Sequence, residues 1–417
     1  MSALPEWTYS DRAGFGEDFD ALAEEVFAQP YRGLWRTGAG ERDGFGQESG
    51  LVAVTNSDLR RLMVHPALTN VPADVLSGML VPAGGRHEDS GYYKCFAHSV
   101  FTRQPPEHAS SKKLFARQLT AGALSRHHEL AASLLRDGLR SLAGRGECDL
   151  RTDFAEPAVA RFWGEVLGLS YAEAVRVSEL AVGLQAANDF RLSADGLVAV
   201  NQAGESFLAE FNALLRRGIR RGGVDFLDDL VADYESMEAD QRPSSLEAHF
   251  GVSLIDGLHT LPAEIVSTVY TLCMNPSSRA AVRADETLVA DAYHEAIRLH
   301  PGIVSTQRYA MTDFEFDGVE VPKGTLIMML WLFGNRDPDV YDSPGEFRLG
   351  RGHRSDTTFG GGAYICPGRN IVKLFCQLAL KECTCSGVEI TFCSEPEWST
   401  ASAIHEPMRA PVVIEVS

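Results

Sequence analysis

The residues best suited to chemistry lie in a glycine-rich stretch that precedes a predicted helix. Residues 359–368 read Phe-Gly-Gly-Gly-Ala-Tyr-Ile-Cys-Pro-Gly, and a helical pattern over 370–382 follows. The N-terminal end of a helix favours negative charge, and therefore the thiolate form of cysteine that binds metals. Glycine permits sharp turns and the close approach of a flat ligand. Cys366 is therefore a candidate metal ligand, although this fragment alone fits a structural cysteine equally well.

Two charged residues upstream of this stretch have a spacing that suits ion pairing. Glu295 and Arg298 lie three residues apart on a predicted helix, where an exposed pair contributes only about 0.2–0.5 kcal/mol. Taken one by one, each of these charges is more typical of a solvated surface.

In combination, these motifs resemble the cytochrome P-450 family between about residues 105 and 368. The haem-binding signature of that family reads Phe, Gly, any, Gly, any, a basic residue, any, Cys, any, Gly. The matching residues here are Phe359, Gly360, Gly362, Cys366 and Gly368. Tyr364 replaces the usual His or Arg and brings no positive charge at neutral pH. The resemblance implies haem b, with Cys366 as the thiolate ligand of its iron.

The resemblance also implies a buried ion network on the cysteine side of the haem. Glu295-Ala-Ile-Arg298 matches the Glu-x-x-Arg pair of the family, 71 residues before Cys366. Phe347-Arg-Leu-Gly-Arg351 matches the Phe-x-x-x-Arg segment that follows it. We therefore expect Glu295, Arg298 and Arg351 to have structural roles.

Three further matches imply contacts with the haem propionates. His108 and Lys112 follow Pro105-Pro106-Glu107, as in the family segment whose His and basic residue meet the propionates. Lys112 stands in for the more usual arginine, so the charge is kept but the planar fork is lost. Arg308 falls where another propionate-binding arginine is expected.

A long helix, predicted from Ser245 to Met274, matches the helix that crosses the distal haem face in the family. The family pattern is a small residue, Gly, any, an acid and Thr, whereas residues 256–260 read Asp-Gly-Leu-His-Thr. Thr260 matches the oxygen-side threonine, and His259 stands at the acid position. We expect both to be catalytic, with His259 relaying protons, although it equally fits a branch with altered oxygen activation. Pro262 cannot donate to the carbonyl of Leu258, so the helix is expected to open there.

Hydrophobic periodicity predicts a mainly helical protein with a small β part. Apolar residues recur at helical spacing over 160–166, 172–184, 204–215 and 282–299, and strand patterns occur over 314–325, 326–332, 388–392 and 412–416. We predict an α+β fold of the P-450 type, with haem between the long distal helix and the proximal cysteine loop. Because no linker is evident, residues 1–417 are expected to form one domain, helix-rich over about 105–300 and mixed over 300–417.

Composition limits the kinds of partner that the protein can bind and the cellular compartment in which it is expected. The chain has 417 residues and a formal net charge of −19, which argues against nucleic acid and anionic membranes as partners. The longest apolar run, 325–333, is too short to be a membrane anchor. Residues 1–8 show no secretory signal and the eight cysteines are scattered, so we expect a cytoplasmic protein with reduced thiols.

These inferences favour a monooxygenase that tailors a small natural product, with electrons from a separate ferredoxin and ferredoxin reductase. Arg369, Lys373 and Lys381 provide a possible docking patch for such a partner, or are simply solvated. Alternatives are oxidative cross-linking of phenolic groups in a peptide, peroxide-driven oxidation and, from another class, a haem-thiolate sensor. Relatives contact substrate at the positions that match Tyr92, Phe96, Val304, Ser305 and Ile404. These side chains suit an aromatic, amphipathic or short peptide substrate, but also plain core packing.

Overall fold

The fold is that of a computed structural model, which describes residues 4–7, 19–37, 50–78, 80–81, 85–189, 192–351, 356–399 and 403–416. Of the stretch 1–8, in which no secretory signal was predicted, residues 1–3 and 8 therefore lie outside the described residues. In the described part of the chain, no helix is both long and apolar enough to cross a membrane.

Helices dominate the described residues. They are α1 (Phe19–Ala28), α2 (Asn56–Leu62), α3 (Ala73–Gly78), α4 (Gly91–Phe96), α5 (Glu107–Arg117), α6 (Ala121–Ser125), α7 (His128–Leu142), α8 (Glu156–Leu167), α9 (Tyr171–Gln185), α10 (Ala194–Arg221), α11 (Asp225–Glu235), α12 (Leu246–Ser253), α13 (Ile255–Cys273), α14 (Pro276–Ala284), α15 (Val289–Leu299), α16 (Trp331–Gly334) and α17 (Arg369–Cys385). The helices predicted over 160–166, 172–184, 204–215 and 370–382 are confirmed as parts of α8, α9, α10 and α17.

The strands are short and lie mostly near the two ends of the chain. They are β1 (Glu6–Trp7), β2 (Trp35–Thr37), β3 (Gly50–Ala53), β4 (Leu68–Thr69), β5 (Glu147–Asp149), β6 (Thr306–Ala310), β7 (Phe314–Phe316), β8 (Val319–Val321), β9 (Leu326–Met329), β10 (Val388–Phe392), β11 (Glu397–Trp398), β12 (Pro407–Arg409) and β13 (Pro411–Val416). A six-stranded sheet has the order β1-β2-β3-β9-β6-β4, and a three-stranded sheet has the order β10-β13-β5. In the larger sheet β6 pairs antiparallel with both β9 and β4, so β6 is held in the sheet interior.

The predicted long helix is two helices, and it breaks at a different residue from the one expected. α12 ends at Ser253, and α13 begins at Ile255 and continues without interruption through Pro262. The expectation of an opening at Pro262 is therefore wrong. Proline removes the hydrogen bond to the carbonyl of Leu258 and its ring crowds that carbonyl. However, α13 is buried around nearly its whole circumference, so packing keeps it continuous.

Two other predicted elements are interrupted. The helix expected over 282–299 is divided, because Asp285 ends α14 and its side chain accepts a hydrogen bond from the N–H of Thr287, which starts a new turn. The strand expected over 326–332 ends at Met329, and α16 begins at Trp331.

The centre of the molecule is the contact between α13 and α17. α13 packs on α17, α9 and α15, and α17 packs in turn on α7. Since α17 starts directly after residues 359–368 and α13 carries Thr260, this packing holds the two predicted parts of the site opposite each other.

Candidate active site

The cysteine loop, residues 359–368, is a closed turn rather than an extended linker. The N–H of Cys366 donates to the carbonyl of Phe359 at 2.9 Å. Gly360 and Gly362 have φ angles of +62° and +60°, a conformation in which a side chain is strained. Phe359 and Cys366 line a cavity of about 310 Å³ that Thr260 of α13 also lines. The loop therefore presents its thiol to the face of α13 that carries Thr260.

The Cys366 thiol is more buried than the sequence pattern indicated. Burial raises its pKa to about 11, although a hydrogen bond from the N–H of Gly368, at the start of α17, acts in the opposite direction. The helix end alone therefore does not produce a thiolate. A bound metal ion deprotonates a coordinating thiol, so coordination itself has to displace the proton. Among the described residues that line the cavity, Cys366 is the one cysteine.

Tyr364, which stands at the usual basic position, is part of an aromatic and cationic cluster. Its hydroxyl shares a 2.8 Å hydrogen bond with Oγ1 of Thr69. Its ring centroid lies 4.5 Å from the ring of His108 and 5.4 Å from the guanidinium carbon of Arg308. A guanidinium at this distance is attracted by the face of the ring, so Tyr364 positions Arg308 instead of supplying a charge itself.

Arg308 is the residue that best tests whether a haem fits. Its side chain is buried, its Nη1 donates to the carbonyl of Gln307 at 3.0 Å, and its Nε has no hydrogen-bond partner among the described residues. Burial lowers its pKa to about 10, and it pairs with no carboxylate of the described ranges. Since a buried cation requires an anion, a propionate of haem fits this position.

His108 and Lys112 lie on α5 at the same edge of the cavity. Burial, reinforced by the charges of Lys112 and Arg308, lowers the pKa of His108 to about 4, so His108 offers a neutral hydrogen bond. The ammonium of Lys112 donates to the carbonyls of Ala363 and Ile365, the latter at 2.6 Å. Lys112 therefore braces the cysteine loop and has one N–H left for a ligand.

Thr260 faces the cavity, whereas His259 does not. Oγ1 of Thr260 donates to the carbonyl of Asp256 at 2.7 Å. Nε2 of His259 lies 3.3 Å from the carboxylate of Glu406, which also pairs with Arg151 at 2.9 Å. Successive helical residues point about 100° apart, so only one of two neighbours can face the cavity. The expectation that His259 serves as the acid of the cavity is corrected: its ring belongs to a buried cluster behind α13.

Asp256 and Glu264 are two cavity residues that the sequence interpretation missed as functional groups. They lie four residues before and four residues after Thr260, and both line the cavity. The i±4 spacing around Thr260 was a signal that could have identified them, because such positions share a helix face.

Comparisons with known proteins place this geometry in a family. The sequence model of the cytochrome P-450 family matches residues 199–384. The β-dihydromenaquinone-9 omega-hydroxylase of Mycobacterium bovis is 26% identical over 400 residues, which cover 95% of this chain and 78% of the relative. The cyclomarin C epoxidase CymV of Salinispora arenicola is 28% identical over 295 residues, covering 70% of this chain and 74% of the relative. The chain belongs to the cytochrome P-450 family.

The fold of a solved P-450 agrees with this assignment. The crystal structure of cytochrome P-450 BioI in complex with hexadec-9Z-enoic acid ligated acyl carrier protein superposes with a TM-score of 0.83 at 17% identity. The match covers 98% of this chain and 100% of the other, which confirms the predicted fold class. Members of the family bind haem through a cysteine thiolate, and the relatives are a hydroxylase and an epoxidase. This P-450 is therefore a haem-thiolate monooxygenase.

The predicted ion network of this P-450 is assembled below the cysteine loop. Glu295 accepts from Nε and Nη2 of Arg298 at 2.9 Å each, and from Nε of Arg351 at 2.8 Å. Arg298 also donates to the backbone carbonyls of Asn335, Pro344 and Glu346. The network thereby ties α15 to the segment that precedes the cysteine loop.

Four of the five predicted substrate positions line the cavity of the P-450. Tyr92 and Phe96 stack at 4.3 Å between ring centroids, and Ser305 and Ile404 also line the cavity. Val304 does not, and its prediction is wrong: its side chain packs in a separate core with Val52. Neighbouring residues of an extended segment point to opposite sides, so Ser305 faces the cavity and Val304 faces away.

The helix that carries the aromatic pair, α4, packs so closely against α10 that no side chain fits between them at the contact. α4, which carries Tyr92 and Phe96, packs against α10 through Gly91 and Gly204. A Cβ at Gly204 would lie 2.5 Å from the carbonyl oxygen of Gly91, and a Cβ at Gly91 would lie 2.0 Å from that of Asn201. Both helices therefore need glycine at these positions.

Proposed function

We propose that this P-450 oxidises a small organic natural product that is aromatic or amphipathic, using electrons from separate redox proteins. The observation that carries this proposal is a single cavity lined by Cys366 and Thr260, with Tyr92 and Phe96 in its wall. Relatives named cyclomarin C epoxidase and nocardicin C N-oxygenase support an oxidation of this general type. We also propose that residues 1–417 form one domain, because one cluster of buried apolar residues extends from Tyr92 to Ile414.

The haem would be held at two edges by residues of this chain. Cys366 would bind the iron, with Phe359 against the macrocycle and Gly368 donating to the sulfur. Arg308, which lacks an anionic partner in the described part of the chain, would bind a propionate. His108 and Lys112, with Tyr364 between them and Arg308, would complete that edge. When bound, haem-thiolate activates dioxygen with two electrons and two protons, placing one oxygen atom in the substrate and the other in water.

Thr260 is the residue of α13 that we propose to handle protons in the cavity. Its hydroxyl donates to the carbonyl of Asp256, so the lone pairs of Oγ1 remain free to accept a hydrogen bond on the cavity side. The hydroxyl can thus hold a proton donor in place within the cavity. His259 acts at most through the helix, since its ring contacts Glu406.

A basic surface beside the cysteine loop supports docking of an acidic ferredoxin. Arg369 and Lys373 lie in the first turns of α17, directly after the loop, and Lys373 is exposed. Lys381 pairs with Glu286 at 2.8 Å, so it contributes less charge than expected. Complementary charge mainly accelerates encounter between partners.

The alternatives of peptide cross-linking and peroxide-driven oxidation rested on His259 at the acid position. Since that ring contacts Glu406 behind α13, the observation no longer favours them. A sensor would not need the polar groups that surround Thr260 in the cavity, so the oxygenase proposal is preferred.

The proposal is tested with haem-loaded protein and a spectral-shift screen of aromatic compounds and short tyrosine-rich peptides. A compound that shifts the haem spectrum should then be oxidised with a reductant, with one oxygen atom derived from labelled dioxygen. Tyr92→Ala should weaken binding of that compound, whereas Tyr93→Ala, outside the cavity residues, should not. Binding without labelled product under any reducing condition would overturn the proposal in favour of a sensor.

A further inference from the structure

Two carboxylates flank Thr260 on the cavity face of α13. Asp256 precedes Thr260 by four residues and Glu264 follows it by four, and all three line the cavity. Since an α-helix rises about 1.5 Å per residue, the two acids are separated by about 12 Å along the helix. The cavity therefore has an acidic side that is distinct from the edge formed by Arg308 and Lys112.

Glu264 lacks a partner for half of its carboxylate. Its side chain is only 6% exposed, and Oε1 accepts from the N–H of Gly302 at 2.7 Å. Oε2 is buried without a hydrogen-bond partner among the described residues. A Cβ at Gly302 would lie 2.5 Å from Oε1, so the loop backbone and the carboxylate are in close contact. This contact fixes Oε1 of Glu264, and Oε2 remains without a hydrogen-bond donor among the described residues.

Asp256 is held by amides instead of by a cation. Its Oδ1 accepts from Nε2 of Gln185 at 2.5 Å, and Oε1 of Gln185 accepts from Asn188 at 2.6 Å. Both amide side chains also line the cavity. In the described ranges, neither Asp256 nor Glu264 pairs with a lysine or an arginine. Among the described residues, His259 is the one basic side chain whose charge favours ionised Asp256.

A positively charged ligand group would satisfy this acidic side. Burying a carboxylate without a counter-charge is unfavourable, and burial raises the pKa of Glu264 to about 7. Ionised Glu264 therefore gains most from a cation that is buried with it. Arg308 and Lys112 are placed to neutralise the haem propionates, so they leave the acidic side without compensation.

We propose that the substrate carries a protonated amine or a quaternary ammonium group, which Glu264 holds through Oε2 while the remainder of the ligand extends along α13 towards Asp256. This inference names the substrate class for the oxidation proposed above and rests on that proposal. Because the acids are separated by more than two helical turns, Glu264 makes the direct contact and Asp256 acts at longer range.

The test compares two ligands of the same shape on the haem-loaded enzyme. They are (2-phenylethyl)trimethylammonium and its neutral carbon isostere, (3,3-dimethylbutyl)benzene. A quaternary nitrogen has no lone pair, so it cannot bind the iron. Calorimetry should be carried out above the pKa of Glu264, at about pH 8. The ratio of the two affinities isolates the effect of charge, since apolar contacts are shared.

The variants are expected to differ in how strongly they reduce the preference for the ammonium ligand. Glu264→Gln should reduce the preference for the ammonium ligand by about tenfold or more, and Asp256→Asn should reduce it less. Glu129→Gln, a matched change on the exposed surface of α7, should leave it unchanged. An equal preference in wild type and Glu264→Gln would overturn the proposal and make Glu264 a neutral, structural acid.

A second measurement needs only the wild-type chain, in case Glu264→Gln does not load haem. At about pH 6.5, the ammonium ligand should expel a proton from Glu264, detected as a buffer-dependent binding enthalpy. The neutral isostere should release none. Two other titratable groups, Cys376 and Tyr293, interact electrostatically with Glu264. Burial raises the pKa of both, so both stay neutral at this pH and release no proton. Equal proton release by both ligands would contradict the proposal.

These measurements separate this inference from the proposed function. Both use binding without reductant, so an ammonium preference without turnover would leave the cation site in place and overturn only the oxidation. Conversely, turnover of neutral substrates with no ammonium preference would overturn only the cation site.

Discussion

The carboxylate of Glu295 accepts two parallel hydrogen bonds from the guanidinium of Arg298, each 2.9 Å long, and both side chains are almost fully buried. Such bidentate, charge-assisted contacts are among the strongest polar contacts in proteins. Because Arg298 also donates to three backbone carbonyls, the pair fixes the chain that leads into the cysteine loop. Its function is structural.

Glu295→Ala is expected to destabilise the fold by roughly 3–5 kcal/mol, because Arg298 would stay buried without its carboxylate. Urea unfolding and haem content measure the loss. Glu346→Ala is the matched control, since its exposed side chain pairs only with Arg348 and its loss should change stability by less than about 1 kcal/mol. A haem-replete Glu295→Ala protein of wild-type stability would contradict the structural role.

The same pair predicts the acid sensitivity of the enzyme. Burial would raise the pKa of Glu295, but hydrogen bonds from Arg298, Arg348 and Arg351 outweigh it and lower the pKa. In the unfolded chain the carboxylate of Glu295 takes up a proton near pH ~4.3. In the folded chain it stays ionised to a lower pH. The stabilisation is thus complete above ~4.3 and is lost as the pH falls through the folded pKa. The stability difference between wild type and Glu295→Gln should therefore be constant from about pH 7 to 5 and shrink below about 4; a change confined to pH 5–7 would refute this.

Cys366→His should abolish the strongly red-shifted Soret band of the reduced carbon monoxide complex, because imidazole is a weaker electron donor than thiolate. Cys393→Ser, an exposed cysteine outside the cavity, should keep the band. The measurement is the difference spectrum of equal amounts of folded protein. A thiolate spectrum retained in Cys366→Ser would show that another cysteine binds the iron.

Thr260→Ala should lower the amount of product formed per reductant consumed and increase peroxide release, because proton handling near Oγ1 is lost. A positioned acid–base group contributes about 10²–10⁴-fold in rate. His259→Ala and His259→Glu should keep the wild-type coupling ratio, since that ring contacts Glu406. Equal uncoupling in Thr260→Ala and His259→Ala would instead restore His259 to the proton pathway.

Lys373→Glu should slow reduction by an acidic ferredoxin several-fold at low salt, with the difference fading as ionic strength rises. Stopped-flow reduction kinetics measure it. Lys381→Glu is the control on the same helix. Because the ammonium of Lys381 already pairs with Glu286, this change should slow reduction less. Equal rates for wild type and Lys373→Glu at low salt would place the docking surface elsewhere.

The sequence predicted the parts of the site that depend on local motifs. The helical character of α8, α9 and α17 follows from spacing and residue type, whereas the roles of the cysteine loop and the Glu295 pair were implied by the resemblance to the P-450 family. These patterns are specific because the loop needs glycine at fixed positions and the ion pair needs helical spacing. The direction of His259 was not predictable from its position in a motif, because facing the cavity depends on how α13 is rotated against α17.

Other errors came from contacts between distant residues. The break at Leu254 and the continuity at Pro262 reflect the packing around α13, which outweighs the local preference of proline. Val304 was predicted wrongly because side chains alternate in direction along an extended segment. The fold, and not the local sequence, determines that Ser305 and not Val304 faces the cavity. Asp256 departs from the family pattern in the sequence, whereas Glu264 belongs to no motif. Their shared face with Thr260 became informative once the cavity was known.

The contact of Gly91 with Gly204 limits how substrate range can be re-engineered. Because a Cβ at Gly204 would lie 2.5 Å from the carbonyl oxygen of Gly91, any larger residue at either position would push the two helices apart. α4 and α10 are therefore in direct backbone contact at this point. Exchanges at Tyr92 and Phe96 reshape the pocket and leave the contact between Gly91 and Gly204 intact. A library aimed at new substrates should therefore vary those two rings and keep both glycines.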